Sequence, residues 1–375
     1  MIDGELAELT LSAGSLALSS IPANLRHKSR MPSPAVLSVD LSALARNFHT
    51  LQALTGVPVH PVVKADGYGL GADACARRLM AEGGRTFFVA RTAEGVALRT
   101  ALGGAPVIYV LDGCLEGAAT ALKAAGLRPV LNHPRQMQAW REAGGGACGL
   151  QIDTGMNRLG FRPEDAPEPF DGLTLVMSHL ACADEPDQPM NRRQRDAFAA
   201  AAERYPGITR SLANSGACFL GRDFAFDAVR PGICLYGGGP QGRPDARIAP
   251  VATLTAEVLQ VRDVPAGESV GYARGFVAET PVRVAAIAAG YADGVLRAYS
   301  PRAVVHVAGK ARRLLGRVSM DVCAVDVTGL DVAVGDPVEL FGSNRMLDDA
   351  AEAAGTISYE LLTSITARVP RRYVG

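Results

Sequence analysis

Apolar strand-like runs alternate with amphipathic helical stretches from Val36 to about residue 235. The strand candidates end near Lys64, Ala90, Leu111, Leu131, Asp153, His179, Ala213 and Arg230. Helices are expected over 40–54 with Asp40 as the N-cap, and over 72–82, 92–101 and 191–204. Eight strands that alternate with helices over roughly 200 residues predict an α/β fold, a parallel (β/α)8 barrel. An open doubly wound sheet is the alternative, but the strand count and the lack of a Gly-x-Gly-x-x-Gly turn argue against it.

The pattern changes after about residue 246, where short β-branched runs are separated by Gly and Asp turns. These runs cover 251–261, 282–288, 303–307, 322–327 and 337–341, and one helix is expected near 348–354. We therefore predict a loosely ordered N-terminal extension at 1–33, a barrel at 34–245 and a smaller, mostly-β domain at 246–375.

Composition excludes several classes of partner. The net charge is +0, and hydrophobic residues make up 48% of the chain, as in a globular protein with a large core. No basic stripe suggests nucleic acid or an anionic membrane, and no apolar run is long enough to span a bilayer. The seven cysteines form no CxxC pair, so neither a metal site nor a disulfide framework is indicated. Unpaired thiols and an acidic, non-signal N-terminus favour a cytoplasmic protein.

Lys64 ends the first predicted strand, in a segment with little access to water. Burial disfavours the ammonium, so we expect the pKa of Lys64 to lie below its ordinary value of about 10.4. A neutral amine on a rigid strand end is suited to forming a Schiff base. The alternative is a lysine that extends its ammonium to solvent from the strand terminus.

Further polar residues follow the later strands of the predicted barrel, at the face where such barrels place their active sites. Arg158 follows strand five, His179 ends strand six, Asn214 and Ser215 follow strand seven, and Arg230 ends strand eight. Alone, His179 would be a core histidine and Ser215 a turn or helix cap. Together they predict one site at the barrel mouth.

The loops after strands seven and eight usually hold a phosphate in this architecture. Ser215 offers a hydroxyl, and Gly232 and Ile233 offer backbone N–H groups, whereas Pro231 has none. Such a site with few cations suits a phosphate monoester. A Schiff-base lysine beside a single phosphate site predicts pyridoxal 5′-phosphate (PLP) as the cofactor.

Arg230 restricts the chemistry, because a guanidinium donates hydrogen bonds but does not protonate a pyridine nitrogen. A ring left neutral stabilises charge at the substrate Cα only weakly, which favours rapid reprotonation over transamination. A surface salt bridge is the alternative role for Arg230. Racemisation needs a proton carrier on each face of Cα, and Lys64 can serve one face. A tyrosine can serve the other. The candidates are Tyr68, Tyr272, Tyr291 and Tyr359.

At this point the chain resembles the alanine racemase family, the PLP-dependent β/α-barrel class, from about residue 34 to residue 375. The resemblance rests on these segments: Val63-Lys64-Ala65-Asp66-Gly67-Tyr68-Gly69, 153–161, Ala213-Asn214-Ser215, 229–233, Val270-Gly271-Tyr272, 290–294, 316–321 and 357–372. It implies a racemase for L- and D-alanine that supplies D-alanine for peptidoglycan. It also implies a head-to-tail homodimer with shared active sites.

The resemblance also implies a role for individual residues. Lys64 carries the cofactor and is the base for the D-enantiomer, and Tyr272 of the partner subunit is the base for the L-enantiomer. Met320 and Asp321 lie beside Tyr272 and so also come from the partner subunit. Arg158 and the Met320 N–H bind the substrate carboxylate, and Tyr291 lies at the channel entrance. The expected cofactor-binding residues are Lys64, Tyr68, His179, Asn214, Ser215, Arg230, Gly232, Ile233 and Tyr359.

Three positions depart from the family pattern. Gln151 replaces a lysine that the family often modifies to a carbamate, so we expect either a bound anion or a direct Gln151 hydrogen bond to hold Arg158. Leu70 replaces a common histidine, and Arg274 follows Tyr272 where small or aromatic residues are commoner. Alternatives are a broader racemase, for example for serine, and a non-catalytic PLP-homeostasis protein. Arg230 argues against a related decarboxylase class, and the β domain against the non-catalytic class.

Overall fold

The computed structural model describes residues 33–300 and 303–375. The predicted N-terminal extension therefore lies, apart from Ser33, outside the described residues. Residues Pro34–Gly375 form one compact unit. Within the described ranges, no helix has the length and apolar character needed to cross a bilayer.

The strands are numbered along the chain. They are β1 (Ala35–Asp40), β2 (Thr86–Val89), β3 (Val107–Val110), β4 (Arg128–Leu131), β5 (Cys148–Gln151), β6 (Leu173–Met177), β7 (Thr209–Ser211), β8 (Ala252–Val264), β9 (Ser269–Val270), β10 (Phe276–Val277), β11 (Val282–Ile287), β12 (Val304–Val307), β13 (Lys310–Leu315), β14 (Cys323–Asp326), β15 (Pro337–Phe341) and β16 (Arg371–Val374).

The α-helices are α1 (Leu41–Thr55), α2 (Lys64–Tyr68), α3 (Ala72–Ala81), α4 (Thr92–Leu102), α5 (Ala119–Ala124), α6 (Pro134–Glu142), α7 (Pro189–Ala202), α8 (Leu347–Ala353) and α9 (Ser358–Thr363). Short 3₁₀ helices cover Pro163–Asp165, Gly216–Phe219, Arg222–Phe224, Ile233–Tyr236, Tyr272–Arg274, Tyr291–Asp293 and Arg297–Tyr299. As predicted, Asp40 caps α1, and its carboxylate accepts a hydrogen bond of 2.8 Å from the Ala43 N–H.

Strands β2 to β7 form a parallel sheet in sequence order. Two short segments close this sheet into a ring. Val62 bridges to Phe88 of β2, and Val59 bridges to Val229. Next to Val229, the Arg230 N–H donates to the Ala213 carbonyl at 2.8 Å, just beyond β7. The predicted (β/α)8 barrel is confirmed, and β2 to β7 end within two residues of the predicted positions.

The second sheet runs in the order β11-β14-β13-β12-β15-β8-β1-β16, and β11 also pairs with β8. It is antiparallel except for the β1–β16 pair. Its strands β8, β11, β12, β14 and β15 and helix α8 correspond to the runs predicted after residue 246. The predicted β domain after the barrel is confirmed.

The pairing of β1 differs from the sequence prediction. Residues 35–40 were predicted within the barrel segment, but β1 lies between β8 and β16 of the second sheet, with Leu37 opposite Leu254 and Arg371. Ala35, Leu37 and Val39 are buried in this position, and the intervening residues are half-buried. The first described strand thus belongs to the second sheet, and the chain then enters the barrel through α1.

Candidate active site

A cavity opens at the carboxyl ends of the barrel strands. It is lined by Val62, Lys64, Tyr68, Phe88, Leu111, Gln151, Arg158, Leu159, Met177, His179, Asn214, Ser215, Arg230, Gly232 and Tyr359. Most residues that the sequence predicts for the barrel mouth are therefore together, with Lys64 and Arg230 in the same cavity. Phe88, Leu111 and Met177 are apolar wall residues that the sequence analysis missed, because strand-end hydrophobic residues give no chemical signal.

Lys64 lies just after the short segment in which Val62 bridges to β2, at a point where the chain turns sharply. Ala65, Asp66, Gly67 and Tyr68 all have positive φ, between 51° and 64°, so α2 is a left-handed turn. This conformation costs L-residues roughly 1 kcal/mol or more each, and such strain concentrates at functional sites. As predicted, the pKa of Lys64 lies below its usual range. Desolvation is the main cause and the charge of Arg158 adds to it, whereas Glu94 and Asp112 oppose the shift.

Arg230 is buried, with 4% of its surface exposed. One terminal nitrogen donates to the carbonyl and the hydroxyl of Ser211, both at 2.7 Å, and the other donates to the Ser178 carbonyl. No hydrogen bond from Nε to any described residue is found, so this N–H is left for a ligand in the cavity. Burial lowers the pKa of Arg230, but the surrounding oxygen acceptors stabilise the cation, which stays charged at neutral pH. Because Arg230 makes no ion pair within the described part of the chain, the surface salt-bridge alternative fails.

His179 follows β6 and lines the cavity. Desolvation, together with the positive charges of Arg230, Arg158 and Lys64, lowers the pKa of His179 to about 3. The imidazole is therefore neutral at physiological pH. The Gln194 side chain fixes this segment by donating to the His179 carbonyl at 3.0 Å. A neutral, aromatic side chain at this position can pack against a heterocyclic ring without adding charge.

The predicted phosphate cradle lies at the other end of the cavity. The Ser215 hydroxyl accepts hydrogen bonds from the Gly232 N–H at 2.9 Å and the Cys234 N–H at 3.3 Å. The Ile233 N–H donates to no acceptor among the described residues. The rings of Tyr68 and Tyr359 lie 5.9 Å apart at the same end. A Cβ at Gly232 would lie 1.9 Å from the Tyr68 hydroxyl, so only glycine lets that hydroxyl reach the cradle.

These groups fit the predicted cofactor. The cradle offers hydroxyl and backbone N–H donors, which suit one phosphate monoester. Lys64 supplies an amine of lowered pKa, and Arg230 lines the same cavity with an Nε–H that no described residue accepts. Phe88 also lines the cavity, and its ring lies 5.9 Å from the Arg230 guanidinium carbon.

Gln151 makes a different contact from the one expected. Its side-chain N–H donates to the Leu159 carbonyl at 2.9 Å, which fixes the loop that carries Arg158. No hydrogen bond joins Gln151 to Arg158, and Arg158 is exposed and without an ion pair among residues 33–300 and 303–375. Of the two expected ways to hold Arg158, the direct Gln151 hydrogen bond is therefore not found, since the Gln151 N–H donates to the Leu159 carbonyl, and the bound anion stays a prediction.

Five predicted site residues do not line the cavity. One is the buried Ile233, which follows Gly232 of the cavity wall, and the other four belong to the later part of the chain. Tyr272, Tyr291, Met320 and Asp321 lie in the C-terminal domain, where 72% of Tyr272 and 53% of Met320 are exposed. Tyr291 and Met320 are held together, since the Tyr291 N–H donates to the Ser319 carbonyl at 3.0 Å and the Ala292 N–H to the Met320 carbonyl at 2.9 Å. The predicted site residues thus form two groups, one enclosed in the barrel mouth and one on an exposed surface.

Family models agree with this arrangement. The model described as alanine racemase, N-terminal domain, matches residues 39–240, and the model of the C-terminal domain matches residues 251–373. The alanine racemase of Jannaschia sp. is 45% identical over 89% of this chain and 97% of its own length. The alanine racemase of Dinoroseobacter shibae is 46% identical over 91% of this chain and 98% of its own. A relative from Mesorhizobium japonicum, named as a catabolic alanine racemase, is 44% identical over 91% of this chain and 93% of its own.

Solved structures agree as well. The alanine racemase of Bartonella henselae with covalently bound pyridoxal phosphate superposes with a TM-score of 0.86. It is 35% identical, over 92% of this chain and 100% of that one. The biosynthetic alanine racemase of Pseudomonas aeruginosa has the same TM-score and coverage at 36% identity.

Proposed function

The chain belongs to the alanine racemase family, and we propose that it interconverts L-alanine and D-alanine with PLP held at the barrel mouth. One observation carries this proposal: Lys64, Arg230 and the Ser215–Gly232 cradle line a single cavity. PLP, when bound, withdraws electrons from the substrate Cα, and the protein directs what happens to the proton.

We assign the first proton-transfer role to Lys64. Its pKa is lowered, mainly by burial, so its ammonium gives up a proton more readily than that of an ordinary lysine, and the amine can accept or return a proton on the face of Cα that it contacts. The same amine would hold the cofactor covalently. Tyr68, Ser215, the N–H groups of Gly232 and Ile233, and Tyr359 would hold the phosphate, and Asn214 lines the same cavity as Ser215 and Gly232.

Arg230 and His179 tune the reaction. Arg230 would donate its Nε–H to the ring nitrogen, and because a guanidinium does not transfer a proton at neutral pH, that nitrogen would stay unprotonated. His179 is neutral and adds no charge beside the ring. Negative charge at the substrate Cα would therefore be stabilised only weakly. This favours immediate return of a proton, and hence racemisation over transamination.

Tyr272 is proposed as the second proton carrier, delivered by a partner subunit in a head-to-tail homodimer. Its large exposed fraction and its absence from the cavity wall support this proposal, as does the exposure of Met320 beside Tyr291. A partner subunit that covers the barrel mouth would bury these side chains and bring a phenol to the face of Cα opposite Lys64. Arg158 would bind the substrate carboxylate together with the Met320 N–H of the partner subunit. Asp321 would lie beside that contact and Tyr291 at the channel entrance.

The proposed cellular role is the supply of D-alanine for peptidoglycan in the cytoplasm. Some relatives carry names that state a catabolic role, so the direction of use is a separate question from the chemistry. Deletion of the gene in the organism that encodes it distinguishes the roles. A requirement for added D-alanine supports supply, and loss of growth on D-alanine as the carbon source supports catabolism.

A chiral assay tests the activity itself. PLP-saturated protein should racemise alanine from either enantiomer, and should act at least tenfold more slowly on serine, lysine and arginine. Absence of alanine racemisation by cofactor-loaded protein would reject the proposed function. Equal rates with serine would replace it with the broader racemase.

A further inference from the structure

Glu94 connects two parts of the barrel mouth through one carboxylate. It is the third residue of α4, and its Oε2 accepts hydrogen bonds from the Ala90 N–H at 2.8 Å and the Arg91 N–H at 2.9 Å. Its Oε1 accepts a hydrogen bond of 2.7 Å from the N–H of Ala65, the residue after Lys64. The carboxylate therefore joins the start of α4 directly to the peptide that follows Lys64.

The left-handed turn requires such an external contact. At its start the Ala65 N–H points to Glu94, and farther on the Asp66 carboxylate accepts from the Ala72 N–H at 2.8 Å. Because Ala65, Asp66 and Tyr68 adopt positive φ without the freedom of glycine, the turn is stable only where surrounding contacts hold it. The direction in which Lys64 leaves the backbone depends on this turn.

Charged groups from several elements face Lys64. Arg158 lies on the loop after β5, and Asp112 follows β3 and pairs with Arg91 at 3.2 Å. His179 follows β6, Arg230 follows Val229, and both line the same cavity, whereas Asp66 is in the turn. The positive charges and burial favour the neutral amine, and Glu94 is the largest opposing influence.

We propose that Glu94 is a positioning residue for Lys64: it fixes the direction of the lysine side chain through the Ala65 N–H and holds a negative charge close to that side chain. The effect of Glu94 on catalysis rests on the proposed function. The effect of Glu94 on Lys64 itself can be measured on the protein without cofactor.

Two substitutions separate the two effects. Glu94→Gln keeps an acceptor for the Ala65 N–H and removes the charge, whereas Glu94→Ala removes both. Asp73→Asn is the matched control, because Asp73 is also a first-turn carboxylate, in α3, but pairs with Arg77 on the surface.

The first readout is labelling of Lys64 in apoprotein by reductive methylation across pH, quantified by peptide mass spectrometry. Both Glu94 variants should shift the midpoint to lower pH, because loss of a nearby negative charge makes the ammonium less stable. Asp73→Asn should leave it unchanged. Hydrogen exchange of the 65–69 segment should accelerate in Glu94→Ala and stay within a few-fold of wild type in Glu94→Gln.

The second readout is the holoenzyme. Glu94→Ala should lose about 10- to 100-fold in kcat from misdirection of Lys64, and Glu94→Gln should recover most of that loss while keeping the displaced pH profile. An unchanged labelling midpoint in both variants, or unchanged exchange in Glu94→Ala, overturns the inference. If Glu94→Ala does not fold, Glu94→Gln alone decides through its midpoint. If the labelling shifts but wild-type protein racemises no alanine, the positioning role stands and the proposed function fails.

Discussion

Replacing Gly232 with alanine should damage cofactor binding through one defined contact. The added Cβ would lie 1.9 Å from the Tyr68 hydroxyl and 2.6 Å from the adjoining ring carbon. Ordinary van der Waals contact begins near 3.4 Å, so the hydroxyl must move by about 1.5 Å. The φ of Gly232 is −121°, outside the left-handed region, so the expected cost arises from the side-chain collision.

Tyr68 has little room to move. It is buried, with 5% exposure, and its ring stacks on Tyr236 at a centroid distance of 4.7 Å. The hydroxyl of Tyr236 is itself tied to the Val62 carbonyl at 2.9 Å. Overpacking of this kind costs about 1–3 kcal/mol in the free energy of unfolding. A displaced Tyr68 also loses a hydrogen bond to a charged phosphate, about 1.5–3 kcal/mol, which weakens cofactor binding about 10- to 150-fold.

Two assays measure these effects. Urea unfolding of apoprotein gives the change in stability, and absorbance titration with PLP gives the change in apparent affinity. Gly104→Ala is the matched control, because nothing lies within 4 Å of a Cβ at that position. In a Tyr68→Phe background the nearest colliding atom is absent, so the added effect of Gly232→Ala should be smaller by at least 0.5 kcal/mol. Affinity within twofold of wild type, or equal effects in both backgrounds, would refute the reasoning.

Three further outcomes are expected. Tyr272→Phe should lose activity preferentially from L-alanine, and equal losses from both enantiomers with unchanged binding would show that Tyr272 is not specific to one face. Mixing Lys64→Ala and Tyr272→Phe protomers should restore part of the activity if each site uses both chains; no rescue counts against a shared site. Burial lowers the pKa of His179 to about 3 and that of His60 to about 4. The unfolded chain therefore takes up these protons first, and the free energy of unfolding should fall as pH drops from about 7 toward 4. His60→Gln should reduce that fall, and an identical slope would contradict the assignment.

The barrel was predictable because its strands are short, apolar and buried along most of their length. Every residue of β5, for example, is buried. The polar residues at the strand ends, such as Arg230, were also predictable as one site, since parallel strands bring their carboxyl ends to one face. The local sequence pattern and the barrel topology were thus enough to predict most of the fold and the part of the site that lies in the barrel mouth.

The remaining features depend on distant contacts. The alternation at Ala35, Leu37 and Val39 predicts a half-buried strand, but it does not indicate which strand pairs with it. That strand, β8, follows more than 200 residues later in the chain. The left-handed turn contains Ala65 and Asp66, whose intrinsic preferences are right-handed, so only the contacts around it select that conformation. Glu94 occupies a capping-box position, which the sequence pattern explains fully as a helix start. The same pattern gives no sign that Glu94 also contacts the Ala65 N–H.

The position of β1 between β8 and β16 has a consequence for how this protein can be taken apart. A fragment that begins at residue 246 would lack the strand with which β16 pairs, and would expose the edge of β8 as a template for aggregation. The barrel is, topologically, an insertion into the second sheet and not a module that precedes it. Swapping C-terminal halves between relatives should therefore succeed only when strand β1 is exchanged together with them.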